Sequence, residues 1–346
     1  MIQQAIAQLA DRRDLAPDEA SGVMAEILAG ETTSAQIAAF AVALRMKGET
    51  DDEVAAMACV LRERAVAFPL PAGVAREDLL DTCGTGGDGS GSFNVSTAVA
   101  FVAAGTGAKV AKHGNRAASS RAGSADCLES LGVTLELAPA EAAACLAETG
   151  VVFLFAPSYH GSYKHAAAPR REIGVRTVFN VLGPLANPAG AGRQLVGVFA
   201  RDWVGRLARV LHLLGARAAC VAHSEDGLDE FSVFAPTRVA WLESGAVREE
   251  TVDPKAFGLA HADRDVIRGG EPMENAARLR ALLGGETGPA RDLVVLNAAA
   301  AIRVAGLAGD WEGALATARE SIDSGRARTR LEALVGFCQR LGGPRK

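Results

Sequence analysis

"DTCGTGGDGSGSFN", residues 81–94, carries five glycines and decides how the rest of the chain is read. Gly84, Gly86 and Gly89 spell G-x-G-x-x-G, the dinucleotide-binding fingerprint. That fingerprint needs a strand before it, a helix directly after it, and an acid about twenty residues on for the ribose hydroxyls. The apolar run "LLDTCG" (79–84) supplies the strand. The helix is delayed by "SGSFN", and "AAGTGAKVAKHGN" (103–115) contains no acid. Asp88 also stands inside the loop, where it would repel a bare pyrophosphate. The dinucleotide reading therefore fails. Glycine is costly in chain entropy, so a run this dense needs a reason. Close approach of backbone N–H groups to an anion supplies one.

Two further loops extend this reading. "KVAKHGNRAASSRAGSAD" (109–126) also follows a strand pattern and precedes a helix pattern. It brings Lys109, Lys112, His113, Arg116 and Arg121 beside Asn115, Ser119, Ser120 and Ser124. Successive strand-to-helix loops of a parallel sheet open at one edge, so these cations and hydroxyls face the glycine amides. A charge run is usually a solvated face. This one is short, mixed with small hydroxyl residues and placed at a strand end, which favours a pocket for a highly charged anion. "HSEDGLDEFS" (223–232) ends another strand. Its Asp226, Asp229 and Glu230 are hard oxygen ligands suited to Mg²⁺, which usually takes one or two carboxylates plus substrate phosphates.

Outward from these loops the chain divides. Residues 1–70 read as helices. "APDEASGVMAEILAG" has Pro17 and acids in its first turn, and "TDDE" (50–53) is a capping box. "SAQIAAFAVALRMKG" (34–48), with Ser34 as its cap, is apolar on all sides, which places it between neighbours or against a partner subunit. From residue 74 strands and helices alternate, the signature of a largely parallel sheet with helices on both faces. "TRVAWLESGAVREETVD" (237–253) reads as an added hairpin. Two late helices, "ENAARLRALLGG" and "DLVVLNAAAAIRVAG", follow it. Residues 166–192 start helical and become rich in Pro, Gly and Asn, with Pro169 fitting a first helical position. The expected fold is α/β and not Rossmann. A small helical domain (1–70, with a returning segment at about 166–190) joins a larger domain (74–165 and 191–346), with a cleft between them.

Bulk properties narrow the function. The 346 residues carry a net charge of −5, which argues against general affinity for nucleic acid or anionic lipid. The six cysteines form no C-x-x-C pair, so a zinc site or redox dithiol is not expected, and Cys83 reads as a core thiol at a strand end. The start "MIQQAIAQLADRR" lacks the pattern of a signal peptide. The longest apolar stretch, 35–44, is too short to span a membrane. These features predict a cytoplasmic protein whose partners are small molecules.

The motifs "GTGGD", "FNVST", "KHGNRAASSRAGSADCLESLG", "RTVFNVLGPLANPA" and "DGLDE", in this order, resemble the anthranilate phosphoribosyltransferase family. The resemblance runs from the N-terminal helices to about residue 305. It implies the nucleoside phosphorylase/phosphoribosyltransferase fold class and a homodimer. It implies transfer of phosphoribose from phosphoribosyl diphosphate to the amino group of anthranilate in tryptophan biosynthesis, with Mg²⁺ and release of diphosphate. Carried over by motif, Gly84, Gly87, Asp88, Ser92, Asn94, Val95, Ser96 and Thr97 line the ribosyl diphosphate. So do Lys112, His113, Gly114, Asn115, Arg116, Ala117, Ala118, Ser119, Ser120 and Ser124. Gly84, Asn115 and Arg170 contact anthranilate, and Ser96, Asp229 and Glu230 hold magnesium. The chain departs from the family at "AAAPRRE", which makes Arg171 a second candidate for the Arg170 contact. It departs again at "HGSYK", which puts Tyr163 where a methionine usually stands. The resemblance includes no fused glutaminase domain, and the residues leave a glutaminase partner open.

The implied chemistry suits these residues. Loss of diphosphate from the anomeric carbon gives an oxocarbenium-like transition state with negative charge growing on the leaving group. Mg²⁺ and fixed donors aimed at that charge supply most of the catalysis. An aromatic amine needs no strong general base, so His113 and Lys112 are read as electrostatic and positioning residues. A pyrimidine nucleoside phosphorylase shares the architecture but needs no acidic pair like Asp229–Glu230, and its phosphate loop differs from "GTGGD".

Overall fold

Reciprocal caps set the first helices. The computed structural model describes residues 1–117 and 121–342. It begins with α1 (Ile2–Ala10), α2 (Pro17–Ala29), α3 (Ser34–Lys47) and α4 (Asp51–Glu63). At the start of α4, Thr50 Oγ1 accepts from the Glu53 N–H (3.1 Å) and the Glu53 carboxylate accepts from the Thr50 N–H (2.7 Å). Glu53 is fully buried and also accepts from the Leu15 N–H and from Lys47, both at 2.8 Å, so one side chain ties three segments. The cap of α3 is Thr33 rather than Ser34. Gln36 stands three residues after Thr33 and returns its bond (2.9 and 3.2 Å), which completes a box around Thr33. Among the described residues only one face of α3 is covered: Ile37, Phe40, Ala41 and Leu44 are buried, while Met46 is 69% exposed.

Beyond the bundle come β1 (Leu79–Gly84), α5 (Val95–Gly105), β2 (Lys109–Gly114), α6 (Ser124–Ser130), α7 (Pro139–Thr149) and β3 (Val151–Phe155). The chain then makes α8 (Ala156–Tyr159), α9 (Lys164–Ile173) and α10 (Leu182–Leu185). It returns through β4 (Arg193–Gly197), α11 (Trp203–Leu213), β5 (Ala218–Ser224), β6 (Thr237–Glu243) and β7 (Ala246–Val252). It finishes with α12 (Pro272–Leu283), α13 (Pro289–Val304), α14 (Trp311–Asp323) and α15 (Arg326–Arg340). The sheet order is β3-β2-β1-β4-β5-β6-β7. The first five strands are parallel, and β6 and β7 add the expected antiparallel hairpin at one edge. Its turn residues, Ser244 and Gly245, both have positive φ (51° and 78°), as a two-residue I′ turn requires.

Register places the site. Gly84 pairs with Gly197, and Gly197 with Ala222, so β1, β4 and β5 finish level with one another. From β1 the chain moves to β2 and β3 on one side. It comes back at β4 on the other. Strand order therefore reverses between β1 and β4, and ligands of open α/β sheets bind in the crevice at such a switch point. One face of the sheet is covered by α5, α13 and α15. The other is covered by α11, which packs on α4 of the bundle, so the bundle and this sheet face share one apolar core.

Two features differ from the expectation. Pro169 is the sixth residue of α9, because the helix already starts at Lys164 and runs through three alanines before the proline. Its missing N–H removes the intrahelical donor for the His165 carbonyl. The sequence pattern also gives two late helices, whereas α14 and α15 follow them and complete the cover over α5.

Candidate active site

The loop from Thr85 to Asn94 spans ten residues before α5 begins, too long a delay for a dinucleotide site. Gly86, Gly87, Gly89 and Gly91 all have positive φ (62°, 74°, 73° and 64°), a region that disfavours side chains. The space where a Cβ would stand at Gly86, Gly89 or Gly91 is open. The Gly86 N–H donates to Asp229 Oδ2 (3.0 Å). A Cβ on Gly84 would lie 2.8 Å from that same oxygen, and one on Gly197 only 1.5 Å from the Asp229 carbonyl oxygen. Paired glycines at the ends of β1 and β4 thus let the loop after β5 cross the switch point. Gly197 was missed from sequence; its signal was a glycine at a strand end facing another.

The far side of the glycine loop is also anchored. Ser92 pairs antiparallel with Arg268, the Phe93 N–H donates to Ile267 O (3.0 Å), and the Gly269 N–H to Gly91 O (2.7 Å). Asn94 donates to Ala122 O (3.1 Å) and accepts from the buried Asn275 (3.1 Å), so it joins the two expected site loops to the start of α12. Val95 and Thr97 point into the core, where Thr97 Oγ1 finds no partner among the described residues.

Asp229 and Glu230 reach this edge from the loop after β5. Burial raises the Asp229 carboxyl, and the nearby Asp88 charge raises it further. Glu230 is also raised by burial and by Asp229, against the opposing pull of Lys112 and of the Ser96 N–H that it accepts. A hard cation would relieve this crowding. Asn297, fully buried in α13, holds the pair in place: it accepts from the Phe231 N–H (2.9 Å) and donates to Phe231 O (2.8 Å). Asp226 does not join them. Its carboxylate accepts from the Leu228 N–H (3.3 Å) and from Ser232 Oγ (2.8 Å), shaping the turn instead.

Beneath the loop, buried Lys112 donates to Thr82 O and to Ser96 Oγ (3.1 Å). Burial lowers its pKa, and Asp81 opposes that. Asp81 is fully buried on β1, accepting from the His113 N–H (3.1 Å) and from Asn187 (2.8 Å); burial lifts its pKa to about 6. Asn187 also donates to Ala111 O (2.8 Å) and so pins the linker after α10 to β2. His113 is pushed down to about 3 by burial, then by His160, whose ring lies 5.3 Å away. It is neutral, and its Nε2 has no partner among the described residues. Cys83 is buried and its thiol pushed well up, which makes it an inert core thiol.

The second loop is held by its own acids. Arg116 is bidentate to Glu129 (2.8 and 3.0 Å) and also bonds Asp126 (3.0 Å), so its guanidinium faces α6. Asp126 accepts from the N–H groups of Ala117 (2.9 Å) and Gly123 (2.8 Å). Ser124 Oγ donates to Asn115 O (3.3 Å) and lies where a Cβ on Gly114 would collide, at 2.3 Å. Lys109 starts β2 and therefore stands at the opposite edge, and Arg121 is exposed. Ala118, Ser119 and Ser120 lie outside the described residues.

On α9, the Arg170 guanidinium lies 5.3 Å from the Tyr163 ring centre and 5.9 Å from that of Phe179. Tyr163 OH donates to Phe179 O (3.1 Å), which fixes the stack. Arg171 is exposed. Arg176, not singled out from sequence, donates to Gly87 O and covers Phe199 at 4.6 Å; its own carbonyl accepts from Arg45 of α3. It joins the bundle, the linker and the glycine loop. Its role depends on contacts across 131 and 89 positions of sequence, which no local pattern shows.

Comparison with known proteins places this architecture. Residues 3–65 match the glycosyl transferase family helical bundle domain, and residues 76–328 match the glycosyl transferase family a/b domain. The chain is 53% identical to the anthranilate phosphoribosyltransferase of Thioalkalivibrio sulfidiphilus, covering 97% of this chain and 98% of that one. It is 50% identical to that of Moorella thermoacetica, covering 98% and 99%. The crystal structure of the Thermus thermophilus enzyme superposes with a TM-score of 0.89 at 44% identity, covering 96% and 98%. The Saccharomyces cerevisiae enzyme in complex with PRPP and Mg superposes with a TM-score of 0.87 at 27% identity, covering 97% of both chains. With both family domains matched and full-length relatives at half identity, the chain belongs to the anthranilate phosphoribosyltransferase family.

Proposed function

We propose that the family's reaction, transfer of phosphoribose from phosphoribosyl diphosphate to the amino group of anthranilate, runs in the crevice between the ends of β1 and β4. The observation that carries this is the glycine loop, open above Gly86, Gly89 and Gly91 and braced by the Asp229 loop. Its backbone amides receive the diphosphate, with Ser92, Asn94 and Ser96 beside them and residues 112–117 and Ser124 opposite. Lys112 supplies positive charge beneath the leaving group and fixes Ser96 Oγ. Neutral His113 shapes the pocket and moves no proton. Arg170 takes the anthranilate carboxylate, oriented by Tyr163 and Phe179, with Asn115 and Gly84 near the amine.

The donor set fits magnesium. Among the described residues no three His, Cys, Asp or Glu side chains form a cage. Mg²⁺ that travels with phosphates needs only one or two protein carboxylates. Ser96, Asp229 and Glu230 would hold it, where it would offset negative charge on the departing diphosphate. Arg116, tied to Glu129, contributes its backbone rather than its guanidinium. A homodimer is part of this reading, supported by the apolar, half-covered α3. A cytoplasmic place in tryptophan biosynthesis is also part of this reading; among the described residues no helix is long and apolar enough to cross a membrane.

The test follows anthranilate fluorescence in a mixture of protein, anthranilate, phosphoribosyl diphosphate and Mg²⁺. Fluorescence should fall only when all four are present. Asp229→Asn with Glu230→Gln should shift the magnesium needed for half-maximal rate upward by about tenfold or more. Overlapping magnesium curves for wild type and variant would remove the metal role from this pair.

A further inference from the structure

Three guanidiniums share a cavity of about 260 Å³ at the edge of the sheet opposite the glycine loop. Arg193 opens β4, Arg217 immediately precedes β5, and Arg303 lies in the last turn of α13; Trp241, Glu243 and Ser244 are also part of the lining. The other end of β4 is Gly197, so the length of that strand separates this cavity from the catalytic crevice.

The cations here outnumber their counterions. The Arg193 and Arg303 side chains are only 12% and 11% exposed. Arg193 meets Asp78 at 3.7 Å and Arg303 meets Glu243 at 3.9 Å, and both carboxylates are more than half exposed. Charge-assisted bonds run about 2.7–2.9 Å, so these are loose pairs at the rim. Arg217 draws on the same Asp78, at 3.2 Å. Arg193 Nε is buried with no hydrogen-bond partner among the described residues. Burying a cation without a close counterion is costly.

The cluster is also fixed in place. Arg193 Nη1 donates to Val304 O (2.7 Å). The Arg303 guanidinium lies 4.2 Å from the Trp241 ring centre and 5.0 Å from that of Trp311. We propose that this cavity binds a small phosphate-bearing molecule through Arg193, Arg217 and Arg303. Guanidinium forks match phosphate oxygens in geometry and charge. These three come from separate elements. A phosphoryl group offers three terminal oxygens to such a set, whereas a carboxylate offers two in one plane.

The tryptophans report on the site. Of the three in the chain, Trp241 lines the cavity and Trp311 stacks on Arg303. Inorganic phosphate is titrated into the full chain at constant pH and ionic strength, and emission is followed. A saturable change is expected in the wild type. Arg217 is 56% exposed, so Arg217→Ala should fold normally. It should raise the apparent Kd at least tenfold and leave anthranilate turnover in phosphate-free buffer unchanged. Any phosphate held at the catalytic crevice would respond alike in both proteins. A linear response, or identical titrations of wild type and variant, overturns the site. Acetate at the same ionic strength should give no saturable change; if it matches phosphate, the phosphoryl assignment falls.

Discussion

Asp81 and His113 are bonded neighbours with opposite responses to acid. In the unfolded chain they titrate near about 3.9 and about 6.5. Burial lifts Asp81 to about 6, so between roughly pH 4 and pH 6 the folded protein holds a proton that the unfolded chain has lost. Its contribution to stability falls as pH rises through that window. Burial and His160 push His113 down to about 3, so below about pH 6.5 the unfolded chain takes up a proton that the fold refuses. Its contribution is lost as pH falls. His113→Asn should therefore make the protein less acid-sensitive by about 1 kcal/mol per pH unit between pH 6 and pH 5. Asp81→Asn should make it more acid-sensitive by a similar amount. Urea unfolding at the two pH values separates the cases, and equal slopes for the variants would refute the opposed titrations. Arg170→Ala tests another single contact. Losing a charge-assisted bond costs about 1.5–3 kcal/mol, so the anthranilate KM should rise by roughly ten- to a hundredfold with a smaller change for phosphoribosyl diphosphate. A normal KM in Arg170→Ala together with a raised one in Arg171→Ala would move the role one position. At this scale the sequence was readable where a residue sits inside a motif, as Lys112 and His113 do. Asn187 also lies inside the motif "RTVFNVLGPLANPA", but its role and that of Asp81 were not legible, because their bond spans 106 positions and exists only once β1 and the linker meet.

Helix α5 shows what pattern reading captures of an element and what it misses. Its late start, after "SGSFN", was legible, yet the elements that bury it were not. The signal was present. In α14, Ala314, Leu315, Ala318 and Ile322 recur at helical spacing and are buried, and Leu331, Leu334, Phe337 and Cys338 do the same in α15. Charged residues between them diluted the apolar runs that drew attention elsewhere. The cap of α3 slipped by one residue for a similar reason: Ser34 and Thr33 are both good caps, and only the reply from Gln36 selects between them. The contact of α5 with the two last helices is close enough to test. A Cβ on Gly105 would lie 2.3 Å from Ser321 Oγ and 2.8 Å from the Ala327 nitrogen, while Ser321 Oγ donates to Val102 O (2.8 Å). A backbone atom cannot rotate away, so Gly105→Val should destabilise the fold by about 1–3 kcal/mol or more through overpacking. The catalytic edge lies at the other end of α5. The folded fraction at low temperature should therefore keep its KM values. An unchanged melting temperature would show that α14 and α15 yield freely.

The molecule as a whole joins a bundle to a sheet by two kinds of contact, and they predict different behaviour. One is polar. Arg62 of α4 donates to Leu185 O (2.6 Å) and Leu214 O (3.2 Å), Arg206 of α11 donates to Glu49 O (2.6 Å), and Arg209 pairs with Asp51 (2.6 Å). The other is apolar. Val54, Met57, Val60 and Leu61 of α4 belong to the same buried cluster as Val204, Leu207 and Leu211 of α11 and Val196 and Val221 of the sheet. Buried aliphatic side chains contribute about 1.5–3 kcal/mol each, whereas exposed ion pairs contribute about 0–1 kcal/mol. The shared core should therefore couple the two parts, and they should unfold together. The chain carries its own probes for this. All three tryptophans, Trp203, Trp241 and Trp311, lie outside the bundle, while the bundle contributes strongly to helical circular dichroism. Thermal curves from tryptophan emission and from ellipticity at about 222 nm should coincide. Arg62→Met removes this half-buried cation but leaves the Leu185 and Leu214 carbonyls without that donor, at a cost of about 1–3 kcal/mol. It should lower both midpoints together. If ellipticity instead fell at a lower temperature than emission in this variant, the arginine straps rather than the apolar core would be what holds the bundle to the sheet.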